Sequence, residues 1–268
     1  MNISDSILKD ILAGQASAAP TKGSSFTQTA LKSFTFGEPS LDEGLGDGLP
    51  KGALHEIFAA KGSDFASSVA FALLTAERAS ENKGSFLWIT ERKQAARKGY
   101  LFPLGLAELG IDPDIIRYAE APDTIAALRV AADTARSAAM GAIILSLDGN
   151  RPKGLDLTAT RRLSLFARET GVPFFLLRDS NSPMPSAAWS RWQVTAAASH
   201  PLEANAPGQP VFNVNLLRHR GGKEGLSALL EWDRENRKFT AHISSVPAVS
   251  RGRKVTERTI AEEQRKRA

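Results

Sequence analysis

Two patterns of apolar residues alternate along the chain from about residue 34 onward. Short continuous apolar runs predict strands, and longer stretches with apolar residues three or four apart predict helices. The predicted strands are Leu54–Phe58, Ser85–Thr90, Ile115–Ala119, Ala142–Leu147 and Phe174–Arg178. The predicted helices between them are Phe65–Ser80, Gln94–Leu104, Asp123–Ala139 and Leu157–Thr170. Alternation of strands and helices favours an α/β fold with a doubly wound sheet.

The most apolar runs indicate which strands are central. "GAIILSLDG" and "GVPFFLLRD" are continuously apolar, as expected for parallel strands that are covered on both faces. After residue 186 the pattern changes, and "VFNVNLLRHRGGKEGLSALLEWDRENRKFTAHI" has short alternating segments separated by turn residues. This stretch predicts an antiparallel extension on one edge of the sheet.

The first 33 residues are predicted to form a short helix and a flexible linker. Apolar residues recur at helical spacing near the N-terminus, at Ile7, Leu8, Ile11 and Leu12. "GQASAAPTKGSS" follows and has the small residues, proline and glycine of a linker. Because a short tethered helix seldom folds alone, we expect it to dock on its own chain or on a partner.

The positive charge of the chain is concentrated in its last residues. At 268 residues we expect one domain with extensions, divided as 1–33, a core at 34–245 and a tail at 246–268. The net charge is +5, and the last 19 residues contribute +4 of it with seven basic and three acidic side chains. The basic residues are Arg251, Arg253, Lys254, Arg258, Arg265, Lys266 and Arg267. Such a tail binds nucleic acid or an acidic protein surface, or only keeps the end of the chain solvated.

Several classes of protein are disfavoured by what the sequence lacks. There is no cysteine, and the four histidines are widely separated along the chain without metal-ligand spacing. No nucleophile signature is present, so neither a catalytic residue nor a metal is expected. No apolar stretch approaches the ~18 residues that cross a bilayer, and the N-terminus lacks the apolar run of a signal peptide. We therefore expect a cytoplasmic protein.

The segment "EIFAAKGSDFASSVAFALLTA" has the strand–loop–helix layout of a phosphate-binding loop without the residues that bind phosphate. A working loop is G-x-x-x-x-G-K-[ST], in which lysine contacts the β- and γ-phosphates and Ser/Thr holds Mg²⁺. Here the lysine precedes the glycine, and Asp64 follows them. Losing the lysine and adding a carboxylate each cost about one to a few kcal/mol of phosphate binding. This segment contributes Lys61, Gly62, Ser63, Ser67 and Ser68 to a degenerate nucleotide site, whose other candidate members are Glu91 and Asp148.

Tight ATP binding is therefore expected to be lost. Ser67 and Ser68 can still cap the helix that follows, and its N-terminus can still hold a weakly bound anion. We accordingly expect no cofactor, with weak ATP and Mg²⁺ binding as the exception.

The stretch "FGEPSLDEGLGDGLPKGALHEIF" resembles the opening of the RecA family. In that opening a small-residue turn and "GLP-x-G" precede a strand that ends in Glu-Ile-aromatic. The resemblance covers roughly residues 34 to 245, and the chain resembles the ImuA-type members more closely than RecA itself. It implies a RecA-like core, with a central mostly parallel sheet flanked by helices and an antiparallel C-terminal extension.

The resemblance also indicates how the site departs from a RecA-like ATPase. Phe65 or Ala66 falls where the family has its P-loop lysine, so a pseudo-ATPase is implied. RecA-like enzymes end the strand matching "AIILSLDG" with an aspartate, but that place is here about Ser146, and Asp148 comes two residues later. Glu91 lies near the position of the family's catalytic glutamate. We expect Glu91 and Asp148 either to lie close together at the strand ends or simply to cap helix starts.

Two further regions are candidates for contacts. Arg218, Arg220 and Lys223 follow an apolar strand where RecA has basic residues that reach a neighbouring subunit's ATP. They indicate a surviving interface or anion contact, or else a solvated hairpin tip. The segment after "FFLLRD" is shorter than the DNA-binding loop of RecA and lacks its glycine-rich stretch, which argues against intrinsic DNA binding. Trp189 and Trp192 either stack on bases or form the core face of an amphipathic helix.

The function that the resemblance implies is that of an accessory protein in SOS mutagenesis. The expected partners are ImuB, an error-prone polymerase and possibly RecA, in a complex for translesion DNA synthesis associated with the nucleoid. The N-terminal helix and the basic tail are the expected contacts, the tail with an acidic partner or with DNA. The alternatives are a divergent RecA-like ATPase that binds DNA and uses Lys61 or a lysine from elsewhere, and a SulA-like inhibitor of cell division.

Overall fold

The computed structural model describes residues 32–243 apart from short gaps at 47, 82–83, 136–139, 150–151, 180–183 and 222–223. The candidate contacts at Ile7, Leu8, Ile11 and Leu12, together with Lys223 and the whole basic tail, lie outside the described residues. They stay predictions from the sequence.

The described chain begins with a small hairpin and a helix. Strand β1 (Ser33–Phe34) pairs antiparallel with β2 (Leu49–Pro50), and helix α1 (Pro39–Leu45) lies between them in the chain. Glu38 caps α1, since its carboxylate accepts a hydrogen bond from the Leu41 amide at 2.6 Å. At Gly48 φ is +104°, and a Cβ there would lie 2.2 Å from the Phe34 carbonyl oxygen. Only glycine fits at this position, which explains the small-residue turn in "GLGDGLP".

A large mixed sheet forms the body of the described chain. Its nine strands are β3 (Leu54–Ala59), β4 (Ser85–Glu91), β5 (Ile116–Ala121), β6 (Met140–Leu147), β7 (Phe174–Arg178), β8 (Ser190–Ala197), β9 (Val211–His219), β10 (Ser227–Asp233) and β11 (Lys238–Ala241). Across the sheet their order is β11-β10-β9-β8-β3-β7-β6-β4-β5. The pairs from β8 to β5 are parallel, and those from β8 to β11 are antiparallel. The α/β class, the mostly parallel sheet and the antiparallel extension are thus confirmed.

Helices cover both faces of the parallel part of the sheet. They are α2 (Phe65–Ser80), α3 (Arg92–Lys98), α4 (Pro103–Glu108), α5 (Thr124–Ala135) and α6 (Leu157–Thr170). Helix α2 packs on one face, and α5 and α6 pack on the other. Among the described residues, no helix is long and apolar enough to cross a membrane.

Strands β6 and β7 supply both of the resulting cores. Within β6, Ala142 and Ile144 point into the core under α2, whereas Ile143 and Leu145 point into the core under α5 and α6. Full burial of an Ile or Leu side chain contributes about 1.5–3 kcal/mol. The prediction that these two runs form central strands covered on both faces is confirmed.

Two local predictions are wrong. The predicted helix Gln94–Leu104 is divided, because Gly99 (φ 85°, ψ −170°) ends α3 and Pro103 begins α4. The predicted amphipathic helix around Trp189 and Trp192 is a strand, since β8 begins at Ser190 and runs through Trp192. Trp189 precedes β8 and is half-buried, whereas Trp192 is buried within it, so their three-residue spacing does not reflect one face of a helix.

Candidate functional site

Four parallel strands bring their carboxyl ends to the same edge of the sheet. These strands, β3, β7, β6 and β4, are adjacent in the sheet. The edge carries the segment 60–64 after β3, Glu91 at the end of β4, Asp148 after β6 and Asp179 after β7. This is the position at which open α/β sheets bind ligands, and we call it the carboxyl edge.

The connection between β3 and α2 is short and attached to strand β8. Residues 60–64 form it, and Gly62–Asp64 make a single 3₁₀ turn that runs directly into α2. The Ala60 amide donates to the Val194 carbonyl at 3.0 Å. A Cβ at Gly62 would meet no atom within 4 Å, so the turn does not require glycine. The chain therefore passes from strand to helix without the wide glycine loop that surrounds a phosphate.

A buried carboxylate occupies the start of α2. Asp64 is only 5% exposed, and its Oδ1 accepts a hydrogen bond from the Ala196 amide at 3.1 Å. Its Oδ2 is buried and has no hydrogen-bond partner within the described part of the chain. A phosphate bound here would meet this carboxylate, and two unit charges about 4 Å apart repel by about 4 kcal/mol at an effective dielectric constant of 20.

A lysine from another helix reaches the start of α2. Phe65 is buried at the first position of α2, and Lys98 of α3 places its Nζ 4.9 Å from the centre of the Phe65 ring. The same Nζ lies 3.0 Å from Asp179 Oδ2. The ammonium group is therefore already paired with a carboxylate at the end of β7. The sequence did not predict this contact, because Lys98 is 33 residues from Phe65 and belongs to a different element.

The predicted neighbours Glu91 and Asp148 do lie close together. The Asp148 amide donates to Glu91 Oε1 at 3.4 Å, and the same oxygen accepts from Thr124 Oγ1 at 2.7 Å. The Asp148 carboxylate pairs with Arg97 of α3 at 2.7 Å. Glu91 precedes α3 but its side chain makes no capping hydrogen bond, so the alternative that it caps this helix is wrong.

The other residues of the predicted nucleotide site are either exposed to solvent on the turn or part of helix α2. Lys61, Gly62 and Ser63 are exposed on the turn, and Ser67 is half-buried. Ser68 is fully buried and its hydroxyl donates back to the Asp64 carbonyl at 3.0 Å within α2. This hydroxyl is thus used by the helix itself.

Ser146 stands where RecA-like enzymes are expected to have their metal-orienting aspartate. It is buried in β6, and its hydroxyl accepts a hydrogen bond from Gln94 Nε2 at 2.7 Å. A neutral serine–glutamine contact of this kind supplies no carboxylate for Mg²⁺.

Arg218 and Arg220 hold the segment that leads into β8. Arg218 Nη1 donates to the Ser186 carbonyl at 3.0 Å, and Arg220 Nη2 donates to the Ala187 carbonyl at 3.1 Å. The Arg220 guanidinium also lies 5.6 Å from the centre of the Trp189 ring. Both side chains therefore have a structural use, and Arg220 is in addition exposed at the surface.

The two tryptophans differ in their surroundings. Trp189 is half-buried and donates from Nε1 to His219 Nε2 at 3.1 Å. Trp192 is fully buried under α2 and donates to Ser190 Oγ at 2.9 Å. A base cannot reach Trp192 in the folded chain, so for this residue the alternative of stacking on bases is wrong and the alternative of a core position is right, although on a strand.

Buried charges connect the parallel strands to the antiparallel extension. Glu56 of β3 faces Arg191 of β8 at 2.6 Å, and Arg178 of β7 lies 5.4 Å from the centre of the Phe58 ring. Burial raises the pKa of the Glu56 carboxyl, although Arg191 opposes the shift. Burial likewise lowers the pKa of Arg178. The sequence feature that indicates this cluster is a glutamate inside the apolar run "LHEIF".

An apolar groove lies beside the carboxyl edge, between α2 and the segment that contains α3 and α4. Its volume is about 340 Å³, and Val69, Leu73, Trp88 and Leu106 contribute to its floor. Two exposed aromatic side chains line its rim, Tyr100 at 65% and Phe102 at 66% exposure. We call this surface the α2–α4 groove.

No family model matches the chain, and no curated protein matches it at a significant level. We therefore infer function from the residues of this chain and from the geometry of the carboxyl edge.

Proposed function

We propose that this chain is a non-catalytic RecA-like accessory protein that supports damage-induced mutagenesis through protein–protein contacts. The resemblance of its opening stretch to the RecA family supports this proposal, and so does the mostly parallel sheet with an antiparallel edge. The observation that carries the non-catalytic part is the buried Asp64 carboxylate at the start of α2.

The cations of α3 add to the argument against a nucleotide at this edge. Arg97 pairs with Asp148, and Lys98 pairs with Asp179, at the ends of β6 and β7. ATP with Mg²⁺ needs a free ammonium for the phosphates and an available carboxylate for the metal. Both kinds of group are present here but are bound to each other. Separating them would cost additional free energy on binding.

The α2–α4 groove supports the role of protein–protein contacts. Its two aromatic rim side chains, Tyr100 and Phe102, each leave about two thirds of their surface in water. Exposed aromatic residues around an apolar depression are typical of a surface that binds another protein. The proposed partners, ImuB, RecA and an error-prone polymerase, come from the resemblance to ImuA-type proteins.

A binding assay with purified partners tests this proposal. The full chain is expected to capture ImuB or RecA without nucleotide, and Tyr100→Ser with Phe102→Ser is expected to weaken capture by more than about tenfold, as at an interface hot spot. Leu165→Ser is the matched control, because Leu165 is 53% exposed on α6 on the other face of the sheet. Capture of neither partner by the wild-type chain would contradict the proposal.

A divergent ATPase is the second candidate, because one observation favours it. Lys98 brings an ammonium group next to Phe65, near the place where the resemblance puts the P-loop lysine. This candidate predicts slow ATP hydrolysis that Lys98→Ala abolishes and Lys61→Ala leaves unchanged. The first proposal predicts no hydrolysis by any of the three proteins.

A further inference from the structure

Two histidines and a glutamate lie close together at the antiparallel edge of the sheet. This edge is at the opposite end of the strand order from β4 and β6. They are His200, Glu231 and His242, and their ligand atoms all lie within 4.8 Å of one another. His200 and Glu231 are 31 residues apart in the sequence, so no local spacing indicated this cluster.

Strand pairing fixes two of the three side chains. Glu231 of β10 is opposite Thr240 of β11, and the His242 amide continues the ladder by donating to the Leu229 carbonyl at 2.9 Å. Because alternate residues share a face, Glu231 and His242 are diagonal neighbours on one face of the sheet. His242 Nδ1 lies 2.7 Å from Glu231 Oε2. On the opposite face of the sheet, Trp232 and its neighbours are buried in the core. This packing fixes the strands that position Glu231 and His242.

The third side chain comes from the connection between β8 and β9. The rings of His200 and His242 have their centres 4.4 Å apart, and His200 Nε2 lies 3.0 Å from the Ile243 carbonyl oxygen. A close approach of backbone shapes this connection, because a Cβ at Gly208 would lie 2.0 Å from the His200 carbonyl oxygen. Glycine at 208 thus allows the connection to fold tightly where His200 faces the sheet edge.

The chemistry of the three groups selects a class of ligand. Two imidazole nitrogens and one carboxylate form a ligand set found in zinc sites, whereas Ca²⁺ and Mg²⁺ prefer oxygen ligands throughout. Zinc binds these atoms at about 2.0–2.2 Å, which places tetrahedral ligand atoms roughly 3.5 Å apart. Binding therefore requires His200 to move about 1 Å closer, whereas Glu231 and His242, now 2.7 Å apart, separate slightly as the ion replaces their hydrogen bond. His200 is exposed and can turn to close this distance. Three protein ligands also leave a fourth position for water or another ligand.

We propose that His200, Glu231 and His242 bind Zn²⁺ or a similar divalent transition metal. The ion would join the β8–β9 connection to the end of β11, next to Ile243, where the described chain ends. This role is independent of the proposed accessory function, because it involves none of the residues at the carboxyl edge or the α2–α4 groove.

The test uses the full chain without a histidine tag, titrated with ZnCl₂ by calorimetry and with CoCl₂ by visible absorption. One Zn²⁺ per chain and the visible bands of cobalt bound to nitrogen ligands are expected. His200→Asn, Glu231→Gln and His242→Gln are each expected to weaken Zn²⁺ binding by at least about tenfold. His200→Asn is the most informative variant. Because the His200 side chain is exposed, its replacement is not expected to disturb folding, so a loss of Zn²⁺ binding is not explained by misfolding.

Two control variants match these changes by residue type. His219→Gln keeps a hydrogen-bond acceptor for Trp189, and Glu235→Gln removes an exposed carboxylate close to β10. Both are expected to bind Zn²⁺ as the wild type does. The proposal is overturned if the wild type shows no binding up to millimolar zinc, or if the controls lose binding as the ligand variants do.

Discussion

The carboxyl edge of the parallel strands and the outer face of the antiparallel edge make opposite use of their polar residues. At the carboxyl edge, where the fold offers a ligand site, Lys98 and Asp179 bind each other, and the buried carboxylate of Asp64 occupies the start of α2. At the antiparallel edge, where the fold implies no site, His200, Glu231 and His242 converge. The difference teaches that a fold determines where ligands can bind, while the side chains decide whether they do.

The junction between these two regions depends on a buried ion pair, which gives the largest expected effect. Arg191→Met leaves the Glu56 carboxylate buried on β3 without the closer of its two cationic neighbours. We expect a loss of about 3 kcal/mol in the free energy of unfolding, because a buried carboxylate that loses its closest cation is costly. Urea denaturation measures it, and Glu56→Gln with Arg191→Met should recover part of the loss. A loss below about 1 kcal/mol would show that the pair does not hold β3 to β8.

A buried histidine at the amino ends of β3 and β8 makes stability depend on pH. His55 Nε2 donates to the Pro50 carbonyl at 3.0 Å and Nδ1 accepts from Ser190 Oγ at 2.8 Å. Burial lowers the pKa of His55 from 6.5 to about 4. At pH values between these two pKa values, His55 binds a proton in the unfolded chain but not in the folded chain. The contribution of His55 is therefore fully present above pH 6.5 and is lost as the pH falls toward 4.

The expected loss from this histidine between pH 7 and pH 4.5 is about 2.5 kcal/mol. Urea denaturation of the wild type and of His55→Gln at pH 7 and pH 4.5 measures it as the change in their stability difference. Comparing two proteins removes the effects of other groups, such as Glu77, whose pKa burial raises. An unchanged difference between the two pH values would contradict the assignment of a neutral buried imidazole.

Two glycines distinguish a required turn from a dispensable one, with a smaller expected effect. Gly48→Ala forces a side chain against the Phe34 carbonyl oxygen at a φ of +104° and should cost about 2 kcal/mol. Gly62→Ala adds a methyl group to open space at the carboxyl edge and should change stability by less than about 0.5 kcal/mol. Thermal unfolding of both variants measures the difference. Equal losses would mean that the turn before α2 still needs glycine.

Local signals predicted the parallel half of the fold well. The bounds of α2, α6 and β7 agree with those predicted, because their apolar runs are long and are ended by clear breaks. The error at Gln94–Leu104 has a local cause as well, since Gly99 and Pro103 interrupt the helix within a stretch whose apolar spacing is helical. Sequence patterns thus specify an element best where the apolar run and its ends agree.

The contacts that define the site depend on strand order, which one sequence does not reveal. The closeness of Glu91 and Asp148 was one of two alternatives from the sequence, because the carboxyl ends of parallel strands share an edge. The Glu56–Arg191 pair and the convergence of His200 with His242 each require a particular register between strands distant in the chain. Burial of Asp64 was likewise not predictable, since it follows from the β8 amide to which it binds.

ATP binding is the measurement that tests the central claim most directly. The full chain is titrated with ATP and Mg²⁺ by calorimetry up to millimolar nucleotide. Because the start of α2 has a buried carboxylate and the cations of α3, Arg97 and Lys98, are paired with carboxylates, no binding heat is expected. Micromolar binding that Lys98→Ala removes would contradict the account and identify a nucleotide site that uses a lysine from α3.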